Sequence, residues 1–268
     1  MKKPTLTQTM RYATQWGMLL YLASISTTHM YRWPGTSAGP LDAYCPMGGL
    51  ETLLTFTTSG QIARGTNFNS LLLLGALTIL VLIFSGGFCG YMCPFGTVLE
   101  WVYKIRKLLW KKTVRLPNKL SSALSYTRYG VLILIMLVTF AVGHKLSLPF
   151  IQIDPYRAFF HFGYEMNLRL WIVLGVVFGL SIVLERGFCA YLCPLGGYVG
   201  LVSLAGFTKI KNNGEKCIDC KLCDRACPVN LTPSGKLEHH RCIMCFRCVD
   251  ACVGTKSLRV SLADKEWR

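Results

Sequence analysis

The sequence predicts an all-α membrane domain of four transmembrane helices, built as two repeated two-helix units, followed by a small cysteine-rich carboxyl-terminal domain. Three observations lead to this prediction. Hydrophobic residues make up 52% of the 268 residues and charged residues only 16%, which is apolar for a soluble chain of this size. The apolar residues gather in four stretches. Eight of the thirteen cysteines lie after residue 216.

The four apolar stretches cover approximately residues 13–30, 70–88, 129–143 and 169–184. A helix needs about 20 apolar residues to cross a hydrocarbon core of about 30 Å. The second and fourth stretches satisfy this requirement, whereas the first is diluted by serine and threonine and the third is short. We expect a transmembrane domain over residues 1–205 and a separate domain over residues 206–268.

Basic residues predict the orientation of the chain in the membrane. The loop between the second and third stretches carries eight of them: Lys104, Arg106, Lys107, Lys111, Lys112, Arg115, Lys119 and Arg128. The positive-inside rule places this loop, and with it both termini, in the cytoplasm. The loops at residues 31–69 and 145–168 have nearly balanced charges and should lie outside. We therefore expect a multi-pass protein of the cytoplasmic (inner) membrane.

The net charge of +16 would also suit binding to nucleic acid. Because the basic residues flank apolar stretches, attraction to anionic lipid is the better interpretation. We expect the membrane, and no nucleic acid, to be the partner of these charges.

The tail contains the Cys-x2-Cys-x2-Cys-x3-Cys run of bacterial ferredoxins twice. In such proteins three cysteines of one run and the last cysteine of the other hold each [4Fe-4S] cluster. One predicted ligand set is Cys217, Cys220, Cys223 and Cys252, and the other is Cys227, Cys242, Cys245 and Cys248. The alternative is zinc, which takes only four ligands and leaves the double run unexplained. The tail is thus predicted to be a bacterial-type 2[4Fe-4S] ferredoxin domain, which belongs on the reducing side of a membrane.

The membrane part repeats a block of ten residues. Residues 87–96 (GFCGYMCPFG) recur as residues 187–196 (GFCAYLCPLG), and each block follows an apolar stretch on the inner side. The outer loops match as well, since each has an Asp-x-Tyr sequence beginning at Asp42 or Asp154. We expect two parallel copies of a two-helix unit, related by a pseudo-twofold axis along the membrane normal.

Each repeated block has a Cys-x3-Cys-Pro motif. Proline suits the first position of a helix, so Cys93 and Cys193 are expected to cap helices that begin at Pro94 and Pro194. A thiolate is stabilised at a helix amino terminus. The pseudo-twofold would then bring together four inner cysteines: Cys89, Cys93, Cys189 and Cys193. Four soft ligands suit a third iron–sulfur cluster or another thiophilic metal. The alternatives are packing cysteines or metal-free redox dithiols.

The four stretches, the two Cys-x3-Cys-Pro motifs and the paired ferredoxin runs together resemble the NapH family, the ferredoxin-type membrane quinol dehydrogenase subunits, with their relatives MauN and the membrane core of NosR. The resemblance implies that the membrane part oxidises quinol and passes electrons through iron–sulfur centres to a partner redox subunit, an iron–sulfur protein or a maturation pathway. It also implies that the inner cysteines and the eight tail cysteines are the functional positions. One departure is Val253, which follows Cys252 where proline is usual.

The electron donor is inferred by exclusion. The sequence has no Cys-x2-Cys-His haem motif and no glycine-rich dinucleotide fingerprint, so the quinone pool remains as the source of electrons. His29 and His144 end the first and third apolar stretches on the outer side, before Asp42 and Asp154. A histidine beside an aspartate can accept quinol protons. The alternative is that both histidines are structural residues at the headgroup level.

An outer quinol site leaves most of the hydrocarbon core for the electrons to cross. Either the site lies deeper, near the inner cysteines, or a further centre exists. Cys45 precedes Pro46 outside, where an amphipathic helix is expected to begin. Two other functions stay open: a membrane reductase that serves metal-centre assembly or maturation of another enzyme, and a non-catalytic membrane anchor that conducts electrons.

Overall fold

The computed structural model describes residues 5–31, 46–60, 68–110, 114–142, 154–160, 168–235, 237–252, 254, 257–262 and 265–267. The part before residue 206 is helical. Its helices are α1 (Leu6–Tyr31), α2 (Pro46–Ser59), α3 (Phe68–Phe84), α4 (Pro94–Leu109), α5 (Asn118–Ser125), α6 (Thr127–Val142), α7 (Pro155–Phe160), α8 (Leu168–Val183), α9 (Gly187–Tyr191) and α10 (Pro194–Leu204). The tail has β1 (Thr208–Asn212), α11 (Leu222–Ala226), α12 (Arg247–Ala251), β2 (Leu258–Leu262) and β3 (Lys265–Trp267).

The apolar stretches of the sequence form helices whose lengths differ from the expected spans. Among the described residues, one helical segment, residues 118–141, is long and apolar enough to cross a membrane, and it joins α5 to α6. The helices α3, α8 and α10 are apolar but shorter. The expected second span, residues 70–88, already ends at Phe84 because Ser85 adopts a left-handed conformation, with φ of 50°.

The two repeated blocks have related structures. In the first, a π-helical turn, Phe88–Met92, leads into α4; in the second, α9 leads into α10. Pro94 and Pro194 occupy the first helical positions, and Cys93 and Cys193 are the N-caps, so this prediction is confirmed. The Sγ atom of each capping cysteine accepts the N–H of the glycine three residues later, at 3.4 Å. The cap satisfies one amide that the first turn leaves unpaired.

The helix α2 packs between α3 and α6. It begins at Pro46, as the sequence predicts. Its apolar side chains Met47 and Leu50 join Leu74 of α3 and Leu132 of α6 in one buried cluster. Polar groups are buried beside it, and the Thr139 hydroxyl donates a hydrogen bond to a Glu51 carboxylate oxygen at 3.1 Å. Hydrogen bonding of this kind offsets the cost of burying polar groups.

The tail adds a small antiparallel sheet that the sequence did not predict. Strand β1 pairs with β2 in the register Thr208↔Leu262, and β3 pairs with the other edge of β2. The helices α11 and α12 pack against each other, and the core between helices and sheet contains Cys223 and Cys248. Two ferredoxin runs are thus held side by side on one scaffold.

Candidate functional site

The fold brings the inner cysteines together. Cys93, Cys189 and Cys193 pack around the buried rings of Phe95 and Phe188. Cys89 lies close enough that its charge and those of the other three would act on one another. All four sulfur-bearing side chains are partly buried and none is in a disulfide. The residues that the sequence repeat relates to one another therefore meet in space.

Burial makes free thiolates costly at this place. The pKa of the Cys189 thiol is raised to about 12, chiefly by burial and then by the nearby charge of Cys93. Burial likewise raises the pKa of Cys193 well above the ordinary value of 9.0. These groups stay protonated at neutral pH unless a metal takes the place of the proton. The site therefore suits either thiols or metal-bound thiolates.

Positive charge surrounds the inner cysteines. Arg186 is fully buried, and its Nη1 donates to the Cys89 carbonyl oxygen at 2.5 Å. Arg128 is 4% exposed, and its Nε has no partner among the described residues. Burial raises the pKa of Cys89, and both guanidinium groups act in the opposite direction without outweighing it. Thiolates bound to a metal centre would place further negative charge beside these buried cations.

One buried carboxylate organises the basic residues. Glu100, in α4, is 1% exposed and forms ion pairs with Arg11, with Arg186 at 2.9 Å and with Arg247 at 2.5 Å. Lys104, on the same helix, places its Nζ 3.0 Å from Glu100 Oε1, the oxygen that Arg247 also binds. Burial alone would raise the pKa of Glu100, but the surrounding cations outweigh that effect and hold the pKa well below its ordinary value. Glu100 is therefore ionised at neutral pH.

A large apolar cavity opens beside the inner cysteines. Its volume is about 540 Å³, and α1, α2, α3 and α7 supply much of its wall. Cys93 and Cys193 line it together with Phe95 and Phe188, while Asp154 and Tyr156 line it as well. Cavities of this size and apolar character hold small organic ligands.

The four residues predicted to receive quinol protons have different outcomes. Asp154 is 5% exposed and lines the cavity; its Oδ1 accepts the Tyr156 N–H at 3.0 Å. Asp42 and His144 lie outside the described residues. His29 is in α1, but its side chain is not among those described. The ring of Phe159 in α7 lies 6.0 Å from that of Phe95. The loop at residues 145–168, which was expected outside, therefore contacts the helix that follows Cys93.

The first tail set is Cys217, Cys220, Cys223 and Cys252. All four line one small cavity, and Ser257 Oγ lies 3.2 Å from the Cys252 sulfur. Cys223 is buried and Cys220 is exposed, with exposed Ile218 and Leu222 beside them. This set therefore lies near the surface of the tail.

The second tail set is Cys227, Cys242, Cys245 and Cys248. Cys227 and Cys242 pack against the buried cluster that contains Cys245, and Cys242 also packs against the one that contains Cys248. Cys245 and Cys248 are buried. The pKa of Cys227 is raised to about 12, chiefly by burial and then by the Cys245 charge, and its sulfur accepts the Leu231 N–H at 3.4 Å. This set is enclosed by protein.

The two ferredoxin runs have the same unusual backbone. Asp219 and Lys221 flank Cys220 with φ of 51° and 53°; Met244 and Phe246 flank Cys245 with φ of 48° and 56°. Left-handed conformations cost energy in residues other than glycine, and they collect at functional sites. Turning the chain in this way directs successive cysteines toward one centre, which fits a cluster cradle. Among the described residues, no three His, Cys, Asp or Glu side chains are close enough to hold a single metal ion. A cube holds its four thiolates farther apart than one ion does.

Sequence reasoning did not identify the ion-pair network around Glu100. Its members are far apart in the chain, and only their charge in otherwise apolar surroundings could have drawn attention to them. A partial signal is the pair Arg11-Tyr12, which recurs as Arg128-Tyr129 at the start of the helix in the second repeat.

Comparisons with known proteins agree with this geometry. A family model for a 4Fe-4S binding domain matches the chain twice, over residues 66–113 and 166–212, and each match contains one inner cysteine pair. The duplication inferred from the sequence is therefore supported by the same model matching both halves.

Several relatives cover much of the chain. An uncharacterized protein of Methanocaldococcus jannaschii is 34% identical over 214 residues, which are 78% of this chain and 82% of that protein. The putative electron transport protein YccM of Escherichia coli (strain K12) is 29% identical over 262 residues, 93% of this chain and 70% of YccM. The ferredoxin-type protein NapH of Haemophilus influenzae is 31% identical over 202 residues, 69% of this chain and 66% of NapH. No solved structure matches the chain with comparable significance. The chain belongs to the NapH-type ferredoxin-like family of iron–sulfur electron-transfer proteins.

Proposed function

We propose that this chain is a membrane subunit that oxidises quinol and passes the electrons through the inner cysteines and the ferredoxin tail to a partner redox protein. The apolar cavity that ends at Cys93 and Cys193 is the observation that carries the proposal. It places a space for an apolar ring directly against residues suited to hold a redox centre. An oxidation site there also removes the need for electrons to cross the hydrocarbon core from an outer site.

The cavity walls suit a quinol. Apolar side chains such as Leu22, Leu77 and Phe188 would hold the ring and exclude water. Quinol oxidation releases two electrons and two protons, so a proton acceptor must be near. Asp154 is the carboxylate that lines the cavity, and it would accept a proton from the ring hydroxyl. His29, His144 and Asp42 stay as predicted participants in proton release.

The inner cysteines would hold a third centre, since the matching family model is that of a 4Fe-4S binding domain and covers both inner pairs. The unpartnered Nε of Arg128 and the fully buried Arg186 fit the negative charge of such a centre. The tail sets defined above would hold the other two clusters. When bound, iron–sulfur clusters take up and release single electrons.

The membrane arrangement is part of the same proposal. Residues 1–205 would form a four-span domain with both termini in the cytoplasm, and residues 206–268 the ferredoxin domain. Residues 118–141 meet the length criterion for a span; α1, α3 and α8 would complete the set. Shorter spans are tolerated where the bilayer thins or helices assemble.

The direct test is reduction of the purified protein by quinol. The full chain, prepared anaerobically in detergent, should contain about twelve irons if three cubes are present and about eight if there are two. Addition of ubiquinol or menaquinol should bleach the cluster absorbance. A protein whose clusters are reduced by dithionite but by neither quinol would be an electron-conducting anchor rather than a quinol dehydrogenase.

A further inference from the structure

The two repeats are equivalent in sequence but not in how they face the tail. In the first repeat, Gly86 and Gly90 lie against the backbone of the second ferredoxin run. A Cβ atom on Gly86 would come within 1.9 Å of the Cys242 carbonyl oxygen, and one on Gly90 within 2.2 Å of that of Ile243. The corresponding positions one hundred residues later are Arg186 and Ala190, which carry side chains. The backbone of the second ferredoxin run therefore approaches the first block closely, whereas Ala190 and Tyr191 of the second block meet Ile243 and Cys245 through side chains.

The amino-terminal helix α1 stabilises the contact between the first repeated block and the second ferredoxin run. The Gly90 carbonyl oxygen accepts hydrogen bonds from Arg11 Nε at 3.0 Å and Gln15 Nε2 at 2.9 Å. From the same helix, Gln8 Nε2 donates to the Cys245 carbonyl oxygen at 3.0 Å. Three side chains of α1 thus hold the first inner block and the second tail run together.

Ion pairs add a third connection. Arg247 lies between the ligands Cys245 and Cys248 in the sequence, and its guanidinium binds Glu100 at 2.5 Å and also Glu185. Glu100 and Glu185 belong to the helical part, so one tail arginine is bound by both halves of the repeat. A buried pair of this kind is strongly destabilised when one partner is lost, which makes Arg247 a positioning residue.

The first tail set (Cys217, Cys220, Cys223 and Cys252) has different surroundings. Its cavity is lined by tail residues alone, among them Ser234, Ser257 and Leu258. Cys220 is exposed, and Ile218 beside it is 72% exposed. The second ligand set therefore lies against the first repeated block, and the first ligand set lies near the solvent.

We infer that electrons leave the helical part through the first repeat and enter the tail at the second ligand set (Cys227, Cys242, Cys245, Cys248), while the first set (Cys217, Cys220, Cys223, Cys252) is the exit to the partner. This order rests on the proposed function. Centres held by the inner cysteines, the second set and the first set would pass one electron at a time in this order, each being oxidised as the next is reduced. Two such passages remove both electrons of a quinol, whose protons are left at the cavity.

The order is tested with two serine variants of the full chain. In Cys220→Ser, quinol should still reduce the remaining intact tail cluster at the parent rate, followed by electron paramagnetic resonance after rapid freezing. In Cys245→Ser, dithionite should reduce the remaining tail cluster, but quinol should not. Entry at the first set would give the opposite pattern and would overturn the inference. Iron analysis confirms which cluster each variant retains.

The contact between the second ferredoxin run and the first repeated block can be tested without measuring turnover and without losing a cluster. Gly90→Ala and Arg247→Gln should increase amide hydrogen exchange over residues 242–248, because both changes separate the tail run from the first block. Gly75→Ala is the matched control, since no atom lies within 4 Å of a Cβ there. Quinol-driven reduction of the tail in Gly90→Ala should fall at least about tenfold, because rates that depend on fixed geometry are sensitive to displacements of about 1 Å.

These outcomes separate the inference from the proposed function. If quinol reduces no cluster even in the parent, the proposed function fails, and the exchange experiment still decides whether the second set docks on the first repeat. If quinol reduces the parent but Gly90→Ala changes neither exchange nor rate, the inferred route is wrong and quinol oxidation stands.

Discussion

The Arg186 guanidinium lies 2.9 Å from the Glu100 carboxylate, although the sequence repeat gives neither residue a counterpart of its own kind. The position of Arg186 is Gly86 in the first half, and the position of Glu100 is Gly200 in the second. The pair therefore exists once in a structure made of two similar halves. It joins the two halves, and through Arg247 it joins both of them to the tail.

Replacing Glu100 by glutamine should destabilise the protein strongly. The change leaves the buried Arg11 and Arg186 and the partly exposed Arg247 without their shared carboxylate, and breaking a buried pair costs about 3–5 kcal/mol. We expect a lower thermal unfolding midpoint for Glu100→Gln in detergent. Glu185→Gln is the control, because Glu185 is 21% exposed and binds one of these arginines, so its effect should be clearly smaller. Equal midpoints for the two variants would contradict the central role of Glu100.

The stability difference between the parent and Glu100→Gln should depend on pH as the pKa of Glu100 dictates. The folded-state pKa lies below the ordinary value of 4.5, so the stabilising contribution is complete above that value and is lost only as the pH falls below it. The gap in unfolding free energy between the parent and Glu100→Gln should therefore stay constant from about pH 7 to about pH 5. Urea unfolding at several pH values measures it. A gap that narrows across this interval would mean that the pKa of Glu100 is raised instead.

Local sequence rules predicted local structure well in the repeated blocks. A proline after a cysteine predicted where α4 and α10 begin, because proline lacks the N–H that a first helical turn leaves unpaired. The cysteine spacing of the tail predicts two ligand sets, and this assignment stays a prediction; in the structure the four cysteines of the first set line one small cavity.

Long-range relationships could not be predicted in the same way. Glu100 meets Arg11 from 89 residues away and Arg247 from 147 residues away, and no periodicity connects them. Phe159 of α7 meets Phe95 from 64 positions along the chain, a contact that composition does not determine. The early end of α3 depends on Ser85, a residue with no strong preference for the left-handed region.

Filling the cavity should weaken quinol binding without affecting the clusters. Ala76 of α3 lines the cavity, so Ala76→Phe would occupy space that the ring needs. We expect the apparent affinity for quinol to fall about tenfold, equivalent to about 1.4 kcal/mol, while iron content and dithionite reduction stay unchanged. Leu72→Phe, one turn away at a position that is 59% exposed, is the matched control and should behave like the parent. Unaltered quinol kinetics in Ala76→Phe would place the quinol site elsewhere.

The orientation in the membrane can be measured with fused reporters. The basic loop predicts that a reporter after Lys119 or after Arg268 is active in the cytoplasm, whereas one after Gly60 is active outside. Alkaline phosphatase and green fluorescent protein report the two sides. A carboxyl terminus on the outside would refute the topology and would place the tail thiols in an oxidising compartment.

The inner cysteines should act as one unit. If Cys89, Cys93, Cys189 and Cys193 share a centre, Cys89→Ser and Cys189→Ser should lose the same spectroscopic signal, because each removes one ligand at positions related by the repeat. Each variant should lose up to about four irons and should keep both tail clusters, which dithionite reduces directly.

Quinol-driven reduction should fall sharply in both serine variants, since the route from the cavity to the tail is interrupted. Ser203→Ala, a buried hydroxyl in α10 that donates to the Gly200 carbonyl oxygen, is a control for general disturbance of the second repeat. Normal transfer from quinol in both cysteine variants would show that these residues only pack the interior. Loss of the signal in Cys89→Ser alone would mean that the centre belongs to the first repeat and that the two halves have diverged at their thiols as well as at Arg186 and Glu100.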